Sequence, residues 1–446
     1  MKIQLSFLKG ITIICLPFFL SFFNCSSDVD VKTIEMQVDA QTVEMEPLTN
    51  VLTLMQTFGG ENDPNTGEYL LASPGDIAVT KNGDIIVTDE NKLKIYDPSG
   101  KGKALLGGQG EGPGEFPRSS GLVTTSPGII LPNPITVNVS PQGFITALAL
   151  PPLGDATYYN VYTSGYRTHN RYRVLSNPQI SAYLENTGYT SRRIIIQKVV
   201  FLNENLTLFH LYKSDSLEEV FGFDDGKEFH VIKRYPKPGV FSSGRERFGV
   251  GTDAQLHFVL LPTGTIVYCH TYYDSRLDVA DDTVTFHIVN LDPFSEKTVQ
   301  LTNQPVLLAE EEIRTVSGFK ENRRRMMGRN IQLDKETERQ MEEFFAMRYK
   351  PAFKTLLCDG DVLFVNTFQK NDPAKRDEYY TKVYNVETWE MVSGFYAPAW
   401  FSGHKAKRYH IERVVVSDGN AYRLHYDYEQ FAFIEKYRID PAVYGK

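Results

Sequence analysis

The chain has 446 residues, of which 41% are hydrophobic and 23% are charged, and its formal net charge is −8 at pH 7. This composition excludes a largely disordered chain, because it supplies enough apolar material for a large core. The acidic balance disfavours nucleic acid as a partner.

The first 24 residues have the pattern of a secretory signal peptide. Lys2 and Lys9 precede an uncharged stretch, 10–23, that is short for a membrane-spanning helix. Cys25 follows this stretch and resembles the acylated cysteine of a bacterial lipoprotein. The alternative is an ordinary signal peptide with an incidental cysteine. The leading prediction is a membrane anchor through a lipid on Cys25.

Two acidic residues after this cysteine bear on the direction of export. Asp28 and Asp30 resemble the surface-export signal of Bacteroidetes lipoproteins. An outer-membrane lipoprotein is therefore expected, with display at the cell surface favoured over the periplasm. Residues 25–49 are predicted to form a flexible polar tether. Either 31–36 or 51–55 is expected to supply the strand that closes the fold.

A tight turn recurs six times between residues 50 and 446, and an apolar strand lies on each side of it. The turn residue is glycine in five copies and asparagine in one, as expected where the backbone needs a positive φ. Consecutive turns are 59 to 62 residues apart, except for one step of 96. The turn residues are Gly83, Gly143, Asn205, Gly264, Gly360 and Gly419.

This repeat predicts an all-β fold, a six-bladed β-propeller over residues 50–446. The strands are apolar on both sides of the pleat, as expected where each sheet packs between two neighbours. The alternative fold is a pair of β-sandwiches.

The first repeat resembles a known family. Residues 73–79 (Ser-Pro-Gly-Asp-Ile-Ala-Val) through 97–100 (Asp-Pro-Ser-Gly) look like an NHL-type propeller repeat. Residues 107–116 (Gly-Gly-Gln-Gly-Glu-Gly-Pro-Gly-Glu-Phe) resemble the inter-blade motif of TolB-like six-bladed propeller lipoproteins of Bacteroidetes. The resemblance implies a fold and an envelope location, and it carries over no catalytic residues.

The long step between the fourth and fifth repeats predicts a helical insertion at 309–349. Asp334 can cap a helix whose apolar residues follow at helical spacing. A basic run lies before it, at 320–329. The insertion is expected either to cover blade edges or to act as a lid or docking arm. In the second case the arginines would meet an anionic glycan or a partner's acidic face.

The sequence contains no Gly-x-Ser-x-Gly, His-Glu-x-x-His or Cys-x-x-Cys signature of a known catalytic or metal site. A group of polar residues is found, however, when the six repeats are aligned on their turn residues. Six residues after the turn residue, four of the six positions are polar, and His210 lies one residue off this register. Equal offsets place side chains at similar height around the axis, so they are expected to meet at one mouth. The candidate ligand-binding residues are Asp89, His270, Asn366 and His425.

Two functions follow from these features. The leading one is non-catalytic: an envelope-anchored propeller that binds or scaffolds a peptide, protein or glycan. The alternative is a metal-dependent hydrolase or lyase at the axial mouth, with the histidines as ligands. A third, plainer interpretation is that the ring only lines a wet channel. The sequence identifies no cofactor and does not select the ligand.

Overall fold

The structure is a computed structural model that describes most of the chain. The described residues are 34–36, 45–61, 63, 67–110, 112–116, 136–149, 157–186, 194–213, 218–236, 240–243, 246–249, 255–275, 283–310, 335, 339, 342, 346–370, 378–402, 410–427 and 430–446. The signal segment 1–24 and Cys25 lie outside them.

The first half of the described chain forms two leading strands and three four-stranded antiparallel blades. The leading strands are β1 (Ile34–Met36) and β2 (Leu52–Phe58). Blade 1 contains β3 (Pro74–Val79), β4 (Ile85–Asp89), β5 (Lys92–Tyr96) and β6 (Gly102–Gly107). Blade 2 contains β7 (Thr136–Val139), β8 (Ile145–Ala149), β9 (Tyr158–Tyr162) and β10 (Thr168–Arg173). Blade 3 contains β11 (Ile194–Asn203), β12 (Leu206–Lys213), β13 (Glu218–Asp224) and β14 (Phe229–Pro236).

The second half adds a small hairpin and three further blades. The hairpin pairs β15 (Val240–Ser243) with β16 (Glu246–Gly249). Blade 4 contains β17 (Leu256–Leu260), β18 (Ile266–His270), β19 (Thr283–Leu291) and β20 (Phe294–Thr302). Blade 5 contains β21 (Thr355–Asp359), β22 (Val362–Asn366), β23 (Glu378–Asn385) and β24 (Met391–Pro398). Blade 6 contains β25 (His410–Ser417), β26 (Asn420–Asp427), β27 (Gln430–Ile439) and the distant strand β2.

Helical structure is confined to connections within the described residues. Helix α1 (Pro178–Asn186) links blade 2 to blade 3. Short 3-10 helices span Val174–Ser176, Ala399–Ser402 and Pro441–Tyr444.

The described residues form six apolar clusters, one between each pair of neighbouring blades. Alternate residues of one strand serve different clusters. Ile85 and Val87 of β4 pack toward blade 6, and Ile86 packs toward blade 2. The strands are therefore apolar on both faces because each sheet is buried between two others. The clusters close into a ring, so the chain is a six-bladed propeller and not a pair of sandwiches.

The six predicted turns are equivalent, as expected: each connects the first strand of a blade to the second. The five glycines have positive φ, for example +81° at Gly83 and +86° at Gly264. Asn205 differs from them, because it is not in that left-handed region. Its N–H instead donates to Asn203 Oδ1 at 2.9 Å, so a side chain stabilises this turn in place of a glycine.

The closing strand is β2, which pairs antiparallel with β27, with Leu52 opposite Ile439. The prediction of 51–55 is thus confirmed, and that of 31–36 is wrong. Strand β1 pairs in parallel with β20 of blade 4, with Ile34 opposite Lys297. Leu48 forms a further bridge to blade 5, and its N–H donates to Gly394 O at 2.8 Å.

These contacts involve the described part of the predicted tether at 25–49, residues 34–36 and 45–49. An outer strand leaves one row of N–H and C=O groups unpaired, and an extended segment satisfies them. The described residues of this segment therefore pair with the outer edges of blades 4 and 5. The flexibility of the tether stays a prediction.

The predicted insertion at 309–349 lies between blade 4 and blade 5, and backbone hydrogen bonds join its two ends. Leu308 N–H donates to Arg348 O at 2.9 Å, and Lys350 N–H donates to Val306 O at 2.7 Å. The described residues Glu310, Lys335, Arg339, Glu342 and Ala346 are helical, as predicted. The predicted cap Asp334 and the basic run at 320–329 lie outside the described residues.

Candidate functional site

A channel runs along the axis of the ring and encloses a cavity of about 470 Å³. The first strands of all six blades line it, since they are the innermost strands. Each contributes one free backbone edge together with side chains from its two faces. Cavities of this size accommodate small molecules or the end of a larger one.

The four candidate residues from the sequence lie on the second strands, one step away from the channel. Asp89, His270 and Asn366 are the last residues of β4, β18 and β22, and His425 lies in β26. Each lies six residues after its turn residue, on the second strand of its blade. Neighbouring strands in a sheet are about 4.8 Å apart, however, so second strands are set back from the axis. None of the four is among the residues that line the channel.

Two of them hold connections between blades. The buried Asp89 accepts hydrogen bonds from the N–H groups of Ala72 and Ser73, and Lys94 Nζ lies 2.6 Å from its carboxylate. Asn366 Oδ1 accepts a hydrogen bond from Thr381 at 2.7 Å, and its Nδ2 donates to Phe401 O at 3.5 Å, in the connection to blade 6. These contacts explain the polar residues at these two positions: the strands end there, and the neighbouring loops need hydrogen-bond partners.

His425 belongs to a charged cluster of blade 6. Its Nδ1 lies 3.6 Å from Glu412 Oε1, and Arg423 Nη2 donates to the same oxygen at 2.6 Å. The hydrogen bond from His425 and the charge of Arg423 lower the pKa of Glu412 to about 2. Arg423 also pairs with Glu435 at 2.9 Å. The cluster is internally compensated.

His270 lies near the same carboxylate as His210, the residue one position off the predicted register. His425 lies near a different carboxylate. Glu219 Oε2 lies 3.5 Å from His210 Nε2 and 3.9 Å from His270 Nε2. Glu219 is only 2% exposed and His270 is fully buried. The His270 ring also packs against Tyr235, with ring centres 4.6 Å apart. His210 is the one member of this group that lines the channel.

The side chains that do reach the channel follow another register, which the sequence reasoning missed. Counting back seven residues from each turn residue gives positions on the first strands of five blades and, in blade 5, a position two residues before β21; five of the six are polar. These positions are Asp76, Thr136, Lys198, His257, Phe353 and Glu412. Four of them line the cavity: Asp76, Thr136, Lys198 and His257. The signal was present in the alignment, on the other side of the turn.

Asp76 and Arg413 join the first and last blades at this height. Asp76 Oδ2 accepts a hydrogen bond from Val137 N–H at 3.0 Å, and Asp76 Oδ1 lies 3.8 Å from Arg413 Nε. Burial raises the pKa of Asp76, against the opposing effects of Arg413 and of the Val137 N–H. Asp76 thus has one partner on each neighbouring blade.

Lys198 crosses from blade 3 toward the first strand of blade 4. Its Nζ lies 4.3 Å from the centre of the Phe258 ring, a cation–π contact. Enclosure by the surrounding strands lowers the pKa of Lys198, and the charge of Asp76 opposes that shift.

The described residues contain no group of three or more His, Cys, Asp or Glu side chains arranged to hold a metal ion. His270 and His425, the expected metal ligands, lie on blades 4 and 6, and each contacts a different carboxylate. Nor does the described part of the chain include a helix long and apolar enough to cross a membrane.

Comparisons with known proteins add little to this geometry. No protein-family model matches the sequence, and no curated protein matches it significantly. Among solved structures, a Bacteroides fragilis protein described as exported is 12% identical over 92% of this chain and 99% of its own, with a TM-score of 0.42. A Bacteroides caccae protein of unknown function is 10% identical over 73% and 81%, with a TM-score of 0.33.

A third similar structure is the β-propeller domain of the Trilobed protease from Pyrococcus furiosus. It is 10% identical over 82% of this chain and 81% of its own, with a TM-score of 0.33. At these identities and scores the similarities carry no argument about family or function. The resemblance to TolB-like lipoproteins therefore stays a prediction.

Proposed function

We propose that the protein is an exported, lipid-anchored propeller that binds a peptide, protein or glycan through the mouth of its axial channel, without catalysis. The observation that carries this proposal is the cavity of about 470 Å³, whose lining includes charged and polar residues from five blades. Propeller axes of this kind offer a concave surface with polar groups converging from several strands, which is the usual form of a ligand site.

The position of Gln255 allows a direct test. This residue lines the channel just before β17 and its side chain is exposed, so a larger side chain is tolerated by the fold. In Gln255→Trp the indole narrows the mouth. Gln300→Trp is a matched control, because Gln300 is equally classed as exposed but lies on the outer strand β20.

The measurement is the rise in melting temperature of the purified protein with peptide and oligosaccharide panels, since a ligand of the folded state stabilises it. A panel member that binds at the channel is expected to lose about tenfold or more in affinity for Gln255→Trp, or about 1.4 kcal/mol. Gln300→Trp should bind as the wild type does. Equal binding by both variants, or no binding by the wild type, contradicts the proposal.

Anchoring is tested separately through Cys25. A Cys25→Ser variant is expected to lose palmitate labelling and to leave the membrane fraction, because one acyl-bearing cysteine supplies the anchor. Protease treatment of intact cells then distinguishes surface display from a periplasmic orientation. Membrane association that survives Cys25→Ser would refute the lipid anchor and leave channel binding unaffected.

The metal-dependent hydrolase or lyase has no supporting observation among the described residues. Its expected ligands, His270 and His425, are engaged in separate carboxylate clusters.

A further inference from the structure

Asp76 and Lys198 are charged residues that line the channel, and they differ in whether a group of opposite charge lies beside them. Asp76 already has two partners, the N–H of Val137 and the guanidinium of Arg413. Within the described residues, Lys198 has no carboxylate within 4 Å and no hydrogen-bond acceptor for its ammonium group; its direct contact is the face of Phe258. An enclosed cation without a counter-ion is costly, and the cost falls when an anion enters.

A second polar side chain lines the same cavity, on the neighbouring blade 2. Thr136 occupies the same height on blade 2, seven residues before its turn, and lines the same cavity. Its buried Oγ1 has no hydrogen-bond partner among the described residues. A buried hydroxyl without a partner is unusual, since most buried polar groups are satisfied. Lys198 and Thr136 are thus two donors on neighbouring blades that both lack an acceptor.

We propose that Lys198 and Thr136 form a binding site for a carboxylate group of the ligand. The inference rests on the proposed function and names the chemistry that the channel recognises. A single ammonium balances one negative charge, and the guanidinium of Arg413 is already paired with Asp76. This favours a monoanionic carboxylate over a phosphate. The cavity has room for a sugar acid or for the C-terminus of a peptide.

The site can be tested with defined probes, whichever ligand the protein meets in the cell. The probes are glucuronate and galacturonate against their neutral parent sugars, and short peptides with free against amidated C-termini. Reductive methylation followed by peptide mass spectrometry measures how fast each lysine reacts. The acid probes should slow methylation of Lys198 about tenfold or more, the value of one charge-assisted hydrogen bond. Lys103 is the internal control, because it is 44% exposed and already paired with Asp84.

Two isosteric variants complete the test. Lys198→Met keeps the length of the side chain and Thr136→Val keeps its shape, and both should abolish the preference for acid over neutral probes. If peptides or glycans bind but acid and neutral forms bind equally, the carboxylate site is wrong and the binding function stands. If no probe binds and Lys198 is not protected, the inference fails as well. Protection by sugar acids alone or by peptide acids alone identifies the ligand class.

Discussion

The imidazole of His287 lies between two carboxylates of blade 4. Its Nε2 is 3.2 Å from Asp274 Oδ1 and its Nδ1 is 2.8 Å from Glu296 Oε1. Burial opposes protonation of His287, but the two carboxylates outweigh it and raise its pKa. The side chain is only 9% exposed, so solvent screens these interactions weakly.

A pH-dependent contribution to stability follows from His287. A group whose pKa is raised on folding stabilises the native state fully below its unfolded pKa of about 6.5, and this contribution is lost as the pH rises through the folded value. The free energy of unfolding of the wild type should therefore exceed that of His287→Gln by more at pH 6 than at pH 9. Denaturant unfolding of both proteins at the two pH values measures this. An equal difference at both would contradict the assignment.

The residues that define the channel show what the sequence can reveal at this scale. The turn alignment gives Asp89, His270, Asn366 and His425 one offset along their strands, because a hairpin fixes both of its strands relative to the turn. It does not give their distance from the axis, and none of the four lines the channel. Asp89 and Asn366 are polar because loops need partners where strands end, whereas Lys198 and Thr136 are polar because they face enclosed space. Both causes produce a similar pattern in the sequence.

The hairpin turns are the elements that the sequence predicted best. Their glycines are required by backbone conformation: Gly264 has φ of +86°, and a Cβ there would meet no atom within 4 Å. Glycine is therefore required at this turn by its own backbone conformation, and not by crowding from neighbouring residues.

This makes Gly264→Ala a clean measure of that strain. We expect a loss of about 1 kcal/mol of stability or more, the cost of placing a Cβ in the left-handed region. Gly165→Ala is the control, since Gly165 lies in a turn of blade 2 outside that region and an added Cβ would make only an ordinary contact, 3.8 Å from Thr163. Thermal unfolding should show little change for Gly165→Ala. Equal effects of both substitutions would mean that the turn conformation is not the cause.

The elements that the sequence missed lack a comparable local signal. Helix α1 has nine residues and buries only Ile180 and Leu184, one pair at helical spacing. Two apolar residues are too few to distinguish a short helix from a loop. The pairing of β1 with blade 4 is likewise decided by an unpaired edge far along the chain.

At the scale of the whole molecule, the ring is held closed by pairing between its two ends. Strand β2 covers the outer edge of β27 along Leu52–Phe58 and packs Phe58 into the cluster between blades 6 and 1. Removal of this strand exposes a row of unpaired backbone groups next to apolar side chains, which is a template for association.

Two N-terminal truncations distinguish the role of β2 in closing the ring from the role of β1 at the outer edge of blade 4. A chain that lacks residues 1–60 loses β2 and is expected to melt at lower temperature and to associate. A chain that lacks residues 1–44 loses β1 but retains β2, and it should remain monomeric with a much smaller change. Size-exclusion chromatography and thermal unfolding compare the two. Similar behaviour of both truncations would show that β2 does not close the ring.

If Cys25 carries the proposed lipid, the described strand β1 also sets how the ring stands on a bilayer. With a lipid on Cys25, nine residue steps separate the anchor from Ile34, which is paired with β20. A fully extended chain of that length spans at most about 30 Å. The outer edge of blade 4 then lies within that distance of the lipid headgroups. Blade 1 lies across the six-membered ring from blade 4, so blade 1 and the glycine-rich segment that follows β6 then form the side far from the anchor.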